Sequence, residues 1–187
     1  NSGTKSRSRA RPASDLEHLV MRRMGQAIGD YGLVRPGDRI LVAVSGDARS
    51  FVLLRILDLH RRRFAFDFEL VPLHLGGGEG GQRVTAAFAD QGFEVEVASP
   101  GDGDAPDDRR ISIKTILRAQ AQDRGCNKIA YAQVLDDFLV ELLANLFFHG
   151  RLQSLGISLP QGSNVYGIRP LVNVEQQKVA SLAVELG

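Results

Sequence analysis

The stretch Arg39-Ile-Leu-Val-Ala-Val-Ser-Gly-Asp-Ala-Arg-Ser-Phe-Val-Leu-Leu54 decides how the rest of the 187-residue chain is read. Ile40 to Val44 is apolar and rich in β-branched side chains, which suits a strand. Ser45-Gly46 breaks the run, and apolar residues then recur at Phe51, Leu54, Ile56 and Leu57 with helical spacing. Strand, small-residue turn and helix together present backbone N–H groups and a helix N-terminus to an anion. Ser45, Gly46, Asp47, Ala48, Arg49 and Ser50 are therefore the candidate nucleotide- or phosphate-binding turn, with Ser50 able to cap the helix. Asp47 sets a negative charge where a phosphate would sit. Two like unit charges about 4 Å apart repel by roughly 4 kcal/mol at an effective dielectric near 20.

Upstream, Ser14-Asp15 can cap a helix carrying Leu16, Leu19, Val20, Met24 and Ile28, ended near Gly32 and followed by the turn Val34-Arg-Pro-Gly37. Downstream, the helix over about 48–60 ends in Arg61-Arg62-Arg63, and a strand is expected over 67–75. Gly76-Gly-Gly-Glu-Gly-Gly81 lacks the Lys and Ser/Thr of a P-loop and reads as a mobile linker. A helix over 82–91, a strand over 93–98, a mobile acidic segment over 99–108, a helix over about 108–124, a short strand over 127–131 and a helix over 135–148 follow. In the helix over 135–148, the stripe Phe138, Leu142 and Leu146 is expected in the core. Residues 152–163 read as irregular, 164–168 as a fifth strand, and a final helix reaches Leu186.

Strands alternating with helices imply an α/β three-layer sandwich of Rossmann type with a mainly parallel five-stranded sheet. In such sheets a ligand sits beyond the C-terminal strand ends at the switch point, here beside the first and fourth strands.

Apolar residues at 43% and charged residues at 24% are ordinary for a globular protein, and the length suffices for one substantial core, so 14–187 is read as a single domain. Residues 1–13, with Lys5, Arg7, Arg9 and Arg11, read as a flexible basic tail, with Asn1-Ser-Gly3 open as a cloning remnant. A net charge of +1 gives no global argument for nucleic acid. The single cysteine, Cys126, leaves no internal disulfide and no Cys-cluster metal site, which fits a reducing, cytoplasmic setting. His18, His60, His149 and Cys126 share no ligand spacing, and no metal site is read from them. No apolar run approaches about 18 residues, so no membrane-spanning helix is expected.

Several separated segments also carry a family resemblance. Val42-Ala-Val-Ser-Gly-Asp-Ala-Arg-Ser50 resembles, in degenerate form, the SGGxDS PP-loop of the N-type ATP pyrophosphatases. Met24-Gly-Gln-Ala-Ile-Gly-Asp-Tyr-Gly-Leu-Val34, Phe66-Asp-Phe-Glu-Leu-Val71, Gly125-Cys-Asn-Lys-Ile-Ala-Tyr-Ala-Gln-Val-Leu-Asp-Asp137, Asn145-Leu-Phe-Phe-His-Gly-Arg-Leu152 and Ile168-Arg-Pro-Leu-Val172 extend it in order from about residue 16 to the end. They are similar to the tRNA 2-thiocytidine synthetase branch, with the tRNA-lysidine synthetases as cousins. The resemblance implies a fold of the adenine nucleotide alpha hydrolase type. It implies ATP with its phosphates on the loop and its adenine against the first two strands, Mg²⁺, and a tRNA base activated by adenylation. It also implies paired CxxC cysteines that hold an iron–sulfur cluster delivering sulfur.

Against that pattern Ser45, Gly46 and Ser50 remain, while Asp47 stands for the second glycine, Ala48 fills the variable position and Arg49 stands for the aspartate. A side chain in place of glycine obstructs the approach of backbone N–H groups to a phosphate. A guanidinium can pair with Asp47 or with a phosphate but cannot hold Mg²⁺ as a carboxylate does. The GHHxDD segment is Ala132-Gln-Val-Leu-Asp-Asp137, without either histidine. Asp136 and Asp137 survive as the candidate catalytic or Mg²⁺-binding pair, or as carboxylates that complement the start of the helix over 135–148.

No CxxC precedes the helix over 108–124, where Asp107-Asp108-Arg109-Arg110 stand, so no iron–sulfur cluster is expected on this chain; a second cysteine pair would fall beyond Gly187. His74, at the end of the second strand, is a candidate ligand-facing residue. Arg151 and Arg169 are candidate phosphate or RNA contacts at the rim. Cys126 is expected as a buried thiol rather than a nucleophile.

Three functions compete. One is an active ATP-dependent tRNA-modifying enzyme. The second, favoured by the altered loop, is a pseudoenzyme that binds nucleotide, RNA or a protein partner, with Phe147, Phe148, Leu152 and Leu155 available for a homo-oligomer contact. The third is an RNA-binding module that uses the basic tail and Arg61-Arg62-Arg63.

Overall fold

Arg39–Val44 forms strand β1 and buries Ile40, Leu41 and Val42 completely. Ile40, Val42 and Val44 belong to the larger core, and Leu41 points to the opposite side. A strand covered on both faces reads as a continuous apolar run, and each such side chain contributes about 1.5–3 kcal/mol.

The computed structural model describes residues 14–99, 113–162 and 164–187. The other elements are α1 (Asp15–Asp30), α2 (Ala48–Arg61), β2 (Glu69–Leu75), α3 (Gly78–Asp90), β3 (Glu96–Ala98), α4 (Ile113–Asp123), β4 (Lys128–Ala130), α5 (Leu135–His149), β5 (Ser158–Pro160), β6 (Tyr166–Ile168) and α6 (Gln176–Leu186). The basic segment 1–13, residues 100–108 and the expected beginning of the fourth helix, with Asp107 to Arg110, lie outside the described residues.

The sheet order is β3-β2-β1-β4-β6-β5, parallel throughout except for the β5–β6 pair. On one face, Val20, Met24 and Ile28 of α1, the apolar side of α2 and Val179 and Leu182 of α6 cover β1. On the other, Leu117 and Ala121 of α4 pack with Leu41, Leu73 and Ile129. The chain builds outward from β1 through β2 to β3, then returns to the far side of β1 as β4. The switch point therefore falls between β1 and β4, as the alternation of elements predicts. At the opposite end of these strands, Lys128 Nζ is buried and donates to Asp38 Oδ2 at 2.5 Å and to the Leu33 carbonyl at 2.7 Å. Among the described residues no helix is long and apolar enough to cross a membrane.

Three expectations are corrected. Among the described residues the sheet has six strands, not five: β5 lies in the stretch expected to be irregular. It has three residues, all exposed, and pairs only with β6 at the sheet edge, so it carries no alternation to read; Pro160 is tolerated there because an edge leaves one side without ladder bonds. The glycine-rich run is not a linker, because Gly78 to Gly81 begin α3. Gly81 is buried, its Cβ position 3.5 Å from Val97 Cγ1, so a lack of side chains serves close packing there. The α5 stripe is not core: Phe138 is buried with Ala27 and Val172, but Leu142 is half-buried and Leu146 is exposed. Helical spacing reports a common face, not what covers it.

Candidate functional site

The turn after β1 is shaped by Gly46, whose φ of +85° lies in the left-handed region. A Cβ there would also meet Val84 Cγ2 at 2.7 Å, so α3 packs directly on the turn. Asp47 then caps α2: its Oδ1 accepts from Ser50 N–H at 2.8 Å, and Ser50 Oγ donates back to the Asp47 carbonyl at 2.9 Å. The cap is thus Asp47, and Ser50 is the buried third residue of the helix rather than its cap. Partial burial pulls the Asp47 carboxyl upward. The Ser50 N–H, the Ser45 and Ser50 hydroxyls and the Arg49 charge outweigh it and hold it below its ordinary value.

Arg49 lies between two carboxylates. Its Nη1 is 3.3 Å from both oxygens of Asp137, and its Nε is 3.6 Å from Asp47 Oδ2. Asp137 Oδ2 also accepts from the Val134 N–H at 2.9 Å, closing the first turn of α5. Asp136 is turned away: its Oδ2 accepts from the Gln176 N–H at 2.7 Å and serves the start of α6.

A cavity of about 700 Å³ opens at this corner. Its walls are the ends of β1 and β2 (Ala43, Val44, Leu73, Leu75), the α4 residues Ile113, Lys114 and Leu117, and the segment after β4 with Tyr131, Ala132 and Gln133. Ser45, Asp47, Arg49, His74 and Asp137 complete it. His74 Nδ1 is 2.8 Å from the Val44 carbonyl. A carbonyl only accepts, so Nδ1 carries a proton and donates to it.

Of the residues singled out from sequence, Ser45, Asp47, Arg49, His74 and Asp137 meet at the cavity, while Gly46, Ala48 and Ser50 build the turn below it. Asp136, Arg151 and Arg169 are not in the lining. Arg151 is exposed. Arg169 is no rim residue: it is 2% exposed, donates from Nη1 to the Gly156 carbonyl and sets its guanidinium carbon 5.5 Å from the Tyr131 ring centroid. Burial lowers its pKa, partly countered by Tyr131. Burial likewise raises the Tyr131 hydroxyl, which donates to Gln161 Oε1 at 2.9 Å. Tyr131, Gln133 and Lys114 were missed as lining residues. Tyr131 and Gln133 carry a usable signal, their place just beyond the C-terminal end of β4; Lys114 carries none.

The residues present do not fit the metal groups that the PP-loop pattern implies. Among the described residues no three His, Cys, Asp or Glu side chains converge, and a guanidinium stands between the two carboxylates that Mg²⁺ would use. Cys126 is buried and its thiol is pushed up by burial, the opposite of a cluster ligand.

A mainly parallel sheet whose switch point carries a strand–turn–helix corner defines a Rossmann-like α/β protein. No protein-family model matches the chain. The tRNA-cytidine(32) 2-sulfurtransferase of Geobacter sulfurreducens is 37% identical over 177 residues, which cover 87% of this chain and 69% of that protein. The enzyme of the same name from Syntrophotalea carbinolica is 35% identical over 184 residues, covering 90% and 71%. This chain belongs to the tRNA-cytidine(32) 2-sulfurtransferase family. In fold it is similar to the U34-tRNA thiolase NcsA of Methanococcus maripaludis, a structure that holds a 4Fe–4S cluster; the TM-score is 0.71 at 19% identity, over 91% of this chain and 63% of that one. The NAD⁺ synthetase of Burkholderia pseudomallei shares the fold at a TM-score of 0.51 and 16% identity, over 95% and 69%.

Proposed function

We propose that this chain is a non-adenylating member of its family, a binding subunit that keeps the PP-loop fold while its own charged groups fill the phosphate corner. The observation that carries this reading is Arg49 held between Asp47 and Asp137. Adenylation needs a triphosphate on the α2 N-terminus with its charge neutralised. Asp47 already takes the Ser50 N–H that such a phosphate would use. Two carboxylates and one guanidinium leave the corner with net negative charge, which repels a triphosphate. Asp136, the other surviving acidic residue, is engaged by α6.

What remains is a roomy cavity with apolar walls and a few polar groups, His74, Gln133 and Lys114, suited to a nucleoside or an RNA base. Leu139, Val140, Leu143, Leu146 and Phe147 of α5 are exposed, which supports a protein partner, a second copy of the chain included. With tRNA as the partner that the relatives' names suggest, the setting is the cytoplasm.

The test is release of pyrophosphate and AMP from Mg-ATP in the presence of tRNA. The expected result is no release above a buffer blank. Release above the blank that disappears in the Asp137→Ala variant would overturn the proposal and restore the adenylating reading.

A further inference from the structure

The PP-loop pattern places a carboxylate at position 49 and a divalent ion beside the phosphates. Here a guanidinium occupies that position, and both carboxylates that face it are already committed. Asp137 offers Oδ1 and Oδ2 to Arg49 at 3.3 Å and Oδ2 to the Val134 N–H. Asp47 offers Oδ2 to Arg49 at 3.6 Å and Oδ1 to the Ser50 N–H.

We infer that Arg49 is the resident cation of this corner, standing where a divalent ion would stand, so that the site takes its ligand without Mg²⁺. This rests on the non-adenylating reading of the same cavity. Mg²⁺ demands near-octahedral oxygen coordination at short, regular distances and gives up its waters reluctantly. Two carboxylates whose oxygens are already engaged by a guanidinium and by the Val134 and Ser50 N–H groups do not supply the vacant oxygens that this requires. Among the described residues, Asp47 and Asp137 are the carboxylates in the cavity lining, and Lys114 is the cation on its walls besides Arg49. A guanidinium is always protonated and offers five donors in one plane, so it bridges two carboxylates as a fixed counter-ion. It also differs from a metal in one testable respect: replacing it with a carboxylate creates a cation site instead of destroying one.

The probe is Mn²⁺, a paramagnetic substitute for Mg²⁺. In the unaltered chain, sub-stoichiometric Mn²⁺ is expected to leave the amide NMR signals of Ser50 and Asp137 unbroadened. In the Arg49→Asp variant three carboxylates converge, and Mn²⁺ affinity is expected to rise at least tenfold, with broadening centred on those amides. Arg49→Gln, which removes the charge without adding a carboxylate, should fall between the two. Broadening of Ser50 and Asp137 in the unaltered chain overturns the inference, whether or not the variants fold. So does an Arg49→Asp variant that folds and gains no Mn²⁺ affinity. Mn²⁺ binding without ATP turnover would remove this inference and leave the proposed function standing. ATP turnover in excess EDTA would do the reverse.

Discussion

Arg49 Nη1 lies 3.3 Å from both carboxylate oxygens of Asp137, joining the first turn of α2 to the first turn of α5 across the switch point of the sheet. The two residues are 88 positions apart, so the contact exists only because β1 and β4 are neighbours. Each element start is closed by its own carboxylate, Asp47 for α2 and Asp137 for α5, and one guanidinium satisfies both.

The size of this coupling is measurable. Arg49 and Asp137 keep 35% and 32% of their side-chain surface exposed, so solvent screens the pair substantially. A double-mutant cycle with Arg49→Ala and Asp137→Asn, read by denaturant unfolding, is expected to give a coupling of about 0.2–1 kcal/mol. It should shrink in molar salt, where the Debye length falls to about 3 Å. Additive single effects would show that the pair contributes nothing to stability.

Gly46→Ala is expected to destabilise the fold by about 1–3 kcal/mol, from two separable causes. Its φ of +85° disfavours any L side chain, and a Cβ would sit 2.7 Å from Val84 Cγ2. Repeating the substitution in a Val84→Ala background should relieve the contact and leave the backbone cost. Equal penalties in both backgrounds would assign the whole effect to the dihedral.

The parts of the fold legible in sequence were those set by local chemistry. Ile40 to Val44 announced a doubly covered strand, and Ser14, which accepts from Glu17 N at 3.1 Å, announced the start of α1. The switch point followed from the order of strands and helices alone. Features that depend on partners far away in sequence were not legible. Asp136 and Asp137 look equivalent in the chain, yet one faces Arg49 and the other the Gln176 N–H. Arg169 read as a surface cation because nothing nearby in sequence shows that Tyr131 and Gly156 enclose it. Its Nε is buried with no hydrogen-bond partner among the described residues. Gly76 to Gly81 misled because glycine content signals both freedom and close packing; Val97 decides between them.

His60 gives a pH dependence with a definite sign. Burial lowers its pKa below the ordinary 6.5, Arg63 adds to this, and the hydrogen bond to the Met21 carbonyl opposes it. Below 6.5 the unfolded chain binds a proton that the folded chain refuses, so the unfolded state holds more protons there. The stability associated with neutral His60 is therefore complete above pH 6.5 and declines as pH falls below it. Replacing the imidazole by a side chain that keeps a donor, His60→Gln, should flatten the unfolding free energy across that window. An unchanged slope in the variant would place the pH dependence elsewhere.

The exposed side of α5 makes a prediction opposite to that of its buried residue. Phe147 and Phe148 are 76% and 83% exposed, and Leu143 lies one helical turn before Phe147. If this face meets a second copy, Leu143→Glu with Phe147→Glu should shift sedimentation toward the monomer at a given concentration. The unfolding free energy of the dilute chain should stay within about 0.5 kcal/mol, the usual range for substitutions at surface positions. Phe138→Ala should do the reverse: it costs about 3 kcal/mol or more by opening a cavity between Ala27 and Val172, with no direct effect on the outer face. A chain that is monomeric at high concentration with the face intact would rule out self-association through α5. A large loss of stability from the double glutamate variant would instead mean that this face packs against part of the chain itself.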